Sequence, residues 1–255
     1  MSNTKTMFMK QNERRTAFIL AAGLGTRLKE LTSDKPKALV ELNKQPLLKV
    51  VIENLISQKF NHFVINVHHY ADKIVDFIES VKYENVEFEI SDERDFLYNT
   101  GGAIIKALPY FKESKAVLIH NVDIVSDIDF QSIYDGFVKS NDAAWLLTQE
   151  RNNKRKIVFD DNNNFVGRLN LETKEYDGEI PLSDRFKLLS FSGLHIIKPE
   201  YFNKFELKAS YVFELYKEIA KNETVKSVPI ASKYWFDLGT QEQLKEASSW
   251  LLSKK

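Results

Sequence analysis

Residues 16–28 have the sequence TAFILAAGLGTRL, a short apolar run that ends in a glycine-rich loop. A continuous apolar run of this length is typical of a strand that is buried on both faces of a parallel sheet. The loop therefore follows the carboxyl end of that strand, where open α/β sheets bind their ligands. Gly23 and Gly25 allow backbone N–H groups to approach phosphate oxygens closely, so the segment predicts a phosphate-binding loop.

Two cations accompany this loop. Arg27 offers a planar fork of donors that suits a polyphosphate, and Lys37 offers a compact point charge. The spacing differs from that of a dinucleotide fold, which needs glycine where Leu28 stands, and no Gly-Lys-Ser/Thr sequence of a Walker loop is present. Taken alone, Gly23 and Gly25 are equally consistent with an ordinary tight turn. The two cations favour phosphate binding over that alternative.

The composition fits one α/β domain. A chain of 255 residues can bury a large core, and its 36 acidic and 36 basic residues leave no net charge to attract nucleic acid or an anionic membrane. Cysteine is absent from the sequence, which excludes disulfides and thiolate metal sites. We expect residues 1–15 to form a flexible leader and residues 16–255 a single domain. No apolar stretch resembles a signal peptide or a membrane span, so we expect a cytoplasmic protein.

Apolar runs alternate with helical patterns through the first half of the chain, which indicates βαβ units. The pattern predicts strands at 16–22, 63–67, 86–90, 116–120 and 143–148, and helices at 46–58, 70–81 and 101–108. After these it predicts antiparallel strands at 157–159, 165–166 and 188–197, a turn at 160–164, and helices at 211–220 and 241–252. The predicted fold class is α/β, with a mostly parallel central sheet flanked by helices and a small antiparallel part in the second half.

Further motifs follow in order along the chain. They are Asn99-Thr100-Gly101-Gly102-Ala103-Ile104, Asn121-Val122-Asp123, Phe191-Ser192-Gly193-Leu194-His195 and Trp235-Phe236-Asp237-Leu238-Gly239-Thr240. Together with the glycine loop and Lys35-Pro36-Lys37-Ala38-Leu39, this series resembles the sugar-1-phosphate nucleotidylyltransferase family. The resemblance covers nearly the whole chain, from Thr16 to about Leu252, and its strength comes from the order of the motifs.

This resemblance implies a Rossmann-like, glycosyltransferase-A-like fold whose antiparallel part binds the sugar. It implies transfer of a nucleotidyl group from a nucleoside triphosphate to a sugar 1-phosphate, with Mg²⁺ as cofactor and pyrophosphate as the second product. UTP is the favoured donor, and an N-acetylmuramate- or hexose-type sugar 1-phosphate is the favoured acceptor. Guanylyl transfer to mannose or heptose 1-phosphate is the second alternative, and phosphocholine cytidylyl transfer is the third. We expect a monomer or small homo-oligomer without nucleic acid or membrane partners.

The resemblance also assigns residues to roles. It assigns catalysis to Arg27, Lys37 and Asp123, with Arg27 on the β- and γ-phosphates and Lys37 between the α-phosphate and the sugar phosphate. The implied nucleotide-binding residues are Ala21, Ala22, Gly23, Leu24, Gly25, Thr26, Arg27, Lys37, Asn99, Thr100, Gly101 and Gly102. The implied sugar-binding residues are Asn121, Arg155, Ser192, Gly193 and Asp237. The implied metal ligands are Asp123 and Asp237.

The chemistry of two carboxylates agrees with a magnesium site. Asp123 comes directly after an apolar strand, at the edge where the phosphates are expected, and Mg²⁺ usually takes one or two carboxylates plus water and phosphate oxygens. Asp237 follows an aromatic run, where a buried carboxylate costs free energy unless a cation or hydrogen bonds satisfy it. The alternative is that Asp123 caps a turn and Asp237 lies at the surface.

Two positions depart from the family pattern. Val122 stands in place of the usual glycine of Asn-Gly-Asp, and Asn99 stands where many relatives have glycine. The substitution at Asn99 leaves the identity of the nucleotide base undetermined.

Two other functions also stay open. One is a catalytically silent protein that binds nucleotide sugar and regulates a partner. The other is a glycosyltransferase whose metal pair would be Asp127 and Asp129, although acidic residues are favoured there by the start of a predicted helix.

The histidines and a basic cluster have simpler interpretations. His120 and His195 lie in predicted strands and are expected to be hydrogen-bonded core residues. His68 and His69 are adjacent on extended chain and point to opposite faces, which disfavours a metal pair. The cluster formed by Arg151, Lys154, Arg155 and Lys156 is expected to be a solvated loop, from which Arg155 alone could reach a sugar phosphate.

Overall fold

A computed structural model describes residues 13–254 of the chain. Its strands are β1 (Thr16–Leu20), β2 (Glu41–Leu42), β3 (Gln45–Pro46), β4 (His62–Val67), β5 (Glu87–Asp92), β6 (Val117–Asn121), β7 (Ile124–Ser126), β8 (Ala144–Gln149), β9 (Arg155–Phe159), β10 (Phe165–Asn170), β11 (Tyr176–Gly178), β12 (Lys187–Ile197), β13 (Val225–Pro229) and β14 (Trp235–Asp237). Its α-helices are α1 (Leu47–Ser57), α2 (Ala71–Ser80), α3 (Asn99–Ala107), α4 (Phe130–Lys139), α5 (Val212–Ile219) and α6 (Gln241–Leu252). Short 3-10 helices cover Thr26–Thr32, Lys37–Leu39, Leu108–Phe111 and Pro199–Phe202.

Most of the predicted leader, residues 1–12, lies outside the described residues. Arg15, at its end, packs on the domain, because its Nη2 lies 2.7 Å from Asp135 Oδ1 and its backbone N–H donates to Asn61 Oδ1 at 2.9 Å. Between residues 13 and 254, none of the helices combines the length and the apolar character that a membrane crossing needs.

Ten strands form one mixed sheet. The order is β11-β10-β9-β12-β6-β1-β4-β5, with β8 paired to β12 and β13 paired to β8. Strands β6, β1, β4 and β5 are parallel, whereas β12 is antiparallel to β6, β8 and β9. The predicted α/β class is confirmed, since a parallel core flanked by helices continues into an antiparallel second half.

Strand β1 lies in the middle of the parallel part and contributes to both apolar layers. Ala17 and Ile19 pack in the layer that contains α1, α2 and α4, whereas Phe18 packs in the layer that contains α3 and α5. Successive side chains of a strand point to opposite faces, so a strand covered by helices on both sides needs apolar residues at every position. This requirement explains the continuous apolar run of the sequence.

The observed boundaries differ slightly from the predicted ones. Strand β1 ends at Leu20 because the backbone N–H groups of Ala21 and Ala22 donate to Asn66 Oδ1, at 2.7 and 3.2 Å, rather than to a neighbouring strand. Helix α3 begins at Asn99, two residues before its predicted start. The predicted turn at 160–164 is confirmed by the β9–β10 hairpin.

The pair formed by β7 and β14 has no counterpart in the prediction. Strand β14 pairs antiparallel with β7, with Trp235 opposite Ser126 and Asp237 opposite Ile124. These strands are only three residues long and form a separate two-stranded sheet, which is too short for a period-two pattern to reveal. The pairing attaches the last sequence motif to the segment that follows β6.

Helix α3 lies very close to the segment that precedes α5. A Cβ atom on Gly102 would lie 2.2 Å from the carbonyl oxygen of Lys208, and one on Gly101 would lie 2.8 Å from Ser210 Oγ. The backbone N–H of Gly101 donates to the Ser210 carbonyl oxygen at 2.8 Å. The two glycines therefore allow α3 to pack backbone to backbone against residues 208–211.

We predict that Gly102→Ala lowers the free energy of unfolding by about 1–3 kcal/mol, because the added methyl group overpacks a site bounded by rigid backbone. Gly23→Ala is the matched control, since a Cβ atom there meets nothing within 4 Å. Urea unfolding of the two variants checks the prediction. Equal stability of Gly102→Ala and the parent chain would contradict the close approach.

Candidate active site

Two cavities adjoin beyond the carboxyl ends of the parallel strands. The loop chamber, of about 320 Å³, is bounded by the glycine-rich loop, and the second chamber, of about 620 Å³, extends across β9, β10 and β12. Both chambers are lined by a shared set of residues, namely Leu20, Arg27, Thr100, Asn121, Asp123 and Tyr211. A ligand group at this junction therefore contacts both chambers.

The glycine-rich loop forms one wall of the loop chamber. Gly25 has a φ of +64°, in the left-handed region that favours glycine, and a Cβ atom there would lie 3.0 Å from Thr32 Cγ2 and 3.1 Å from Lys37 Cβ. The Gly25 carbonyl oxygen accepts the N–H of Leu28 at 2.9 Å, which starts the 3-10 helix Thr26–Thr32. Gly25 therefore sets the backbone path that brings Arg27 to the junction.

The guanidinium of Arg27 lies against the last sequence motif. A Cβ atom on Gly239 would lie 2.6 to 2.7 Å from the Arg27 Cζ and Nη atoms, so the guanidinium occupies the space that any larger residue would fill. Within residues 13–254, the Arg27 guanidinium has neither a hydrogen-bond nor an ion-pair partner. Its donors therefore remain available to an anion in either chamber.

Lys37 and Asp123 form a largely buried ion pair at the junction. Lys37 Nζ donates to Asp123 Oδ2, and their side chains are only 9% and 17% exposed. Lys37 belongs to the 3-10 helix Lys37–Leu39, whereas Asp123 follows β6. The pair therefore joins the segment after the glycine loop to the end of a central strand.

Asp237 lies beside this pair. The Leu238 N–H donates to the Asp123 carbonyl oxygen at 2.8 Å, which brings the two aspartates onto adjacent backbone. Burial raises the pKa of Asp237, and the Asp123 carboxylate raises it further, against the opposing effects of Lys37, Arg27 and Arg151. Asp237 Oδ1 is buried without a hydrogen-bond partner among the described residues.

These two carboxylates fit a divalent cation. An orphaned buried carboxylate oxygen next to a second carboxylate provides hard oxygen ligands, and Mg²⁺ needs only one or two of them from the protein. No group of three or more His, Asp or Glu side chains suited to a metal ion gathers anywhere between residues 13 and 254, so this site offers two carboxylates and leaves the other ligand positions to water and substrate. Asp123 and Asp237 are therefore the residues of this site that could hold a metal.

The second chamber has a basic wall. The Arg151 guanidinium lies 4.1 Å from the centroid of the Trp235 ring and donates from Nη2 to the Phe191 carbonyl oxygen at 2.7 Å. Burial lowers the pKa of Arg151, an effect opposed by the charge of Asp237. Lys156 Nζ donates to the Arg151 carbonyl oxygen. The prediction of a solvated loop is therefore wrong for Arg151 and Lys156, which are fixed in the chamber wall.

Comparison with known proteins identifies the family. A family model described as nucleotidyl transferase matches residues 16–169. The chain is 36% identical over 194 residues to an N-acetylmuramate alpha-1-phosphate uridylyltransferase of Caulobacter vibrioides, over 72% of this chain and 75% of the relative. The chain belongs to the nucleotidyl transferase family.

Another relative of this transferase is a D-glycero-alpha-D-manno-heptose 1-phosphate guanylyltransferase of Campylobacter jejuni. The two are 28% identical over 229 residues, which cover 89% of this chain and 95% of the relative. Among solved structures, HddC of Yersinia pseudotuberculosis complexed with GMP-PN matches with a TM-score of 0.72 at 20% identity, over 93% of this chain and 99% of that one. The structural match confirms the fold, and the relatives confirm the predicted enzyme class of sugar-1-phosphate nucleotidylyltransferase.

Most residues assigned to nucleotide binding line the loop chamber of the transferase. They are Ala21, Ala22, Gly23, Gly25, Thr26, Arg27, Lys37, Asn99 and Thr100. Leu24 is 49% exposed and lines neither chamber, and Gly101 and Gly102 face residues 208–211 instead. Asn99 has a φ of +57°, a conformation that asparagine tolerates better than most residues and that explains its place at a glycine position. Their contacts with a nucleotide stay predictions.

The residues assigned to sugar binding all line the second chamber. They are Asn121, Arg155, Ser192, Gly193 and Asp237. Gly193 has a φ of +82°, and a Cβ atom there would lie 2.9 Å from Asn121 Nδ2, so glycine leaves room for that amide. The Ser192 hydroxyl is buried and donates to the Leu147 carbonyl oxygen at 2.7 Å, which makes Ser192 a part of the wall rather than a free donor.

The two strand histidines are core residues of the transferase. Burial lowers the pKa of His120 to about 4 and that of His195 to about 3, so both are neutral at pH 7. His120 Nδ1 donates to the Asn121 carbonyl oxygen at 2.8 Å, and His195 Nδ1 hydrogen-bonds with the Tyr216 hydroxyl. The prediction of hydrogen-bonded core histidines is confirmed.

Two buried residues that the motifs do not include support the glycine loop. Asn66 Oδ1 accepts the N–H groups of Ala21 and Ala22, and Asn66 Nδ2 donates to Glu93 Oε1 at 2.8 Å. Glu93 Oε2 accepts the Tyr98 N–H at 3.1 Å, and Glu93 is only 1% exposed. Because the carboxylate accepts from the Asn66 amide nitrogen, it fixes the amide oxygen toward the loop, and Glu93 is therefore a positioning residue for the loop.

We predict that Glu93→Gln raises the KM for the nucleoside triphosphate about five- to tenfold and changes kcat less. One carboxamide oxygen cannot replace two accepting carboxylate oxygens, so about one hydrogen bond of the network is lost. Steady-state kinetics check the prediction. Glu89→Gln is the matched control, because Glu89 is an exposed residue of β5, the strand that ends one residue before Glu93. Equal KM values in both variants and the parent would contradict the positioning role.

The pH dependence of stability tests the same carboxyl group. Burial raises the pKa of Glu93, although hydrogen bonds from Asn66 and Tyr98 oppose the shift. A raised folded-state pKa means that the folded chain binds more protons than the unfolded chain between the two pKa values, so stability falls as the pH rises through that window. The stability of Glu93→Gln relative to the parent is therefore predicted to increase with pH above the usual glutamate pKa and then to level off. Urea unfolding from pH 4 to 8 measures the difference, and a constant difference would contradict it.

Proposed function

We propose that this transferase moves a uridylyl group from UTP to an N-acetylmuramate-type sugar 1-phosphate and releases pyrophosphate. The observation that carries the proposal is the junction of the two chambers, where Arg27, Lys37, Asp123 and Asp237 come together. A nucleotide in the loop chamber and a sugar phosphate in the second chamber would meet there. The choice of base and sugar rests on the relative at 36% identity.

The proposed reaction needs positioning and charge stabilisation more than a protein nucleophile. An oxygen of the sugar phosphate forms a bond to the α-phosphorus, while the bond from that phosphorus to the oxygen bridging to the β-phosphorus breaks. The sugar phosphate is already ionised at pH 7, so no general base is required. The leaving pyrophosphate accumulates negative charge, which the free donors of Arg27 would stabilise.

Lys37 binds one partner in the structure and another in the proposed reaction. In the structure its ammonium group binds Asp123, and in the proposed reaction it bridges the α-phosphate and the sugar phosphate. Phosphate oxygens at the junction would draw Lys37 away from Asp123 and leave this carboxylate free to bind a cation. Asp123 and Asp237 would then hold Mg²⁺, which would neutralise phosphate charge at the junction.

The glycosyltransferase alternative is disfavoured by the positions of its metal pair. Asp127 Oδ1 accepts the N–H groups of Lys233 and Tyr234 at 2.9 and 3.2 Å, and Asp129 caps α4 by accepting the Ser132 N–H at 2.9 Å. Neither aspartate lines the loop chamber or the second chamber. Both carboxylates therefore have structural hydrogen-bonding roles away from the junction.

The guanylyl alternative has support of its own, because a heptose 1-phosphate guanylyltransferase is 28% identical over 89% of this chain. A regulator without catalytic activity is less well supported, since the chain retains Arg27, Lys37, Asp123 and Asp237 at one junction. Cytoplasmic localisation and a monomeric or small homo-oligomeric state stay predictions.

The test is pyrophosphate release with Mg²⁺, in which UTP, GTP, CTP and dTTP are crossed with N-acetylmuramate, glucose, mannose and heptose 1-phosphates. We predict release that requires both substrates, with the highest kcat/KM for UTP and N-acetylmuramate 1-phosphate. The highest value for GTP with heptose or mannose 1-phosphate would establish the guanylyl alternative instead. No release from folded protein that still binds nucleotide would contradict the catalytic proposal.

A further inference from the structure

The second chamber contains more cations than the transfer of one phosphate group uses. Apart from Arg27 at the junction, its lining includes four basic residues, namely Arg151, Arg155, Lys156 and Arg168. Two acidic residues of β11 and the turn before it, Glu175 and Asp177, lie in the same lining. The wall formed by β9 and β10 thus presents positive charge at a distance from the junction. The sugar phosphate is expected at the junction and not at this wall.

We propose that Arg155 and Arg168 form a subsite for a carboxylate on the sugar, so that the acceptor is an acid-bearing sugar 1-phosphate. This inference rests on the proposed nucleotidyl transfer to an N-acetylmuramate-type acceptor, and it assigns the residues that would bind the carboxylate of that acceptor. It differs from the role expected for Arg155, which was contact with the sugar phosphate itself.

The register of the β9–β10 hairpin brings the two arginines to one face. Arg155 is paired with Asn170, and Arg168 is paired with Ile157. Paired residues of antiparallel strands point to the same face, as do residues two apart along one strand, so Arg155 and Arg168 are diagonal neighbours. The backbones of such neighbours are about 7–8 Å apart. Two long side chains at these positions can therefore both contact one small anion.

Arg155 has its full donor capacity free. It is exposed at the chamber, and its guanidinium has no hydrogen-bond or ion-pair partner between residues 13 and 254. By contrast, Arg151 is fixed by Trp235 and the Phe191 carbonyl, and Lys156 by the Arg151 carbonyl. Arg155 is therefore the side chain of this wall that is best able to move onto a ligand.

Arg168 is held in place but is only partly satisfied. Its guanidinium lies 5.3 Å from the centroid of the Phe213 ring, and its Nη2 lies 3.3 Å from Asp177 Oδ2. Asp177 has a closer partner in Lys217, whose Nζ lies 2.6 Å from Asp177 Oδ1. Arg168 Nε is buried without a hydrogen-bond partner among the described residues. Arg168 thus provides an oriented guanidinium with spare donors.

A carboxylate is the group that this arrangement fits. The planar guanidinium fork matches the two oxygens of a carboxylate, and a charge-assisted pair is stronger than a hydrogen bond to a neutral hydroxyl. A neutral sugar in the same position would remove water from the arginines without replacing its hydrogen bonds fully, which costs free energy. The chamber should therefore favour an acidic sugar over the matching neutral one.

Two acceptors that differ by a single group test the subsite. N-acetylmuramate 1-phosphate is N-acetylglucosamine 1-phosphate with a lactyl ether, which carries the carboxylate. With UTP and Mg²⁺, the kcat/KM ratio of the acidic to the neutral acceptor is measured for the parent, Arg155→Gln, Arg168→Gln and the double variant. Lys154→Gln is the matched control, because Lys154 is exposed, pairs with Glu172 and lines neither chamber.

We expect the parent to prefer the acidic acceptor at least tenfold. The ratio should fall about tenfold in each single variant and further in the double variant, mainly through the KM of the acidic acceptor, as expected for the loss of a charge-assisted hydrogen bond. Lys154→Gln should leave the ratio unchanged. An unchanged ratio in the double variant, or a parent that prefers the neutral acceptor, would overturn the carboxylate subsite while nucleotidyl transfer still stands.

Failure of the proposed reaction gives a different result. In that case the parent transfers no uridylyl group to either acceptor, and calorimetry of the two sugar phosphates replaces kinetics as the readout. Tighter binding of N-acetylmuramate 1-phosphate that is lost in the double variant would support the subsite without uridylyl transfer. Equal binding of the two sugar phosphates would overturn the subsite as well.

Discussion

The ion pair between Lys37 and Asp123 is the interaction on which the site depends. Both side chains are largely buried. Removal of either partner would leave the other as a buried, unpaired charge, which destabilises the folded protein. The pair connects the segment after the glycine loop to the end of β6. The pair also lies between the two chambers. The Lys37–Asp123 contact therefore stands at the position where the two substrates are proposed to meet.

Three distant parts of the chain meet around this pair. Asp237 is attached through the β7–β14 pairing and carries a raised pKa, because it is half-buried and lies beside Asp123. Arg27 lies over Gly239, two residues beyond Asp237, and has its donors free. The site thus combines two neighbouring carboxylates with an uncommitted guanidinium, an arrangement that a metal ion and a polyphosphate would satisfy together.

Much of this arrangement could be predicted from local sequence. The apolar run of β1 indicates its buried position because both faces of that strand are covered, and the left-handed backbone at Gly25 is a requirement that few other residues meet. The predicted junction residues Arg27, Lys37 and Asp123 do line one cavity. In these cases the signal lies within a few residues of the feature that it predicts.

The features that could not be predicted depend on pairing between distant strands. Asn66 and Glu93 meet because β4 and β5 are parallel neighbours, and no spacing in the sequence marks the pair. The only available signal was a polar residue at position 66 inside a buried strand. Arg151 meets Trp235 across 84 residues of chain, and Gly101 and Gly102 serve packing against residues 208–211 rather than lining the chamber.

The most direct test of the junction compares Asp123→Asn with Asp127→Asn in magnesium-dependent pyrophosphate release. Both substitutions remove one carboxylate charge, but only Asp123 lies at the junction. The account predicts that Asp123→Asn lowers kcat by about 100-fold or more, in the range of other losses of transition-state stabilisation, whereas Asp127→Asn retains most of the activity. Circular dichroism controls for folding of both variants. An active Asp123→Asn together with an inactive, folded Asp127→Asn would contradict the account and move the chemistry to the Asp-x-Asp pair.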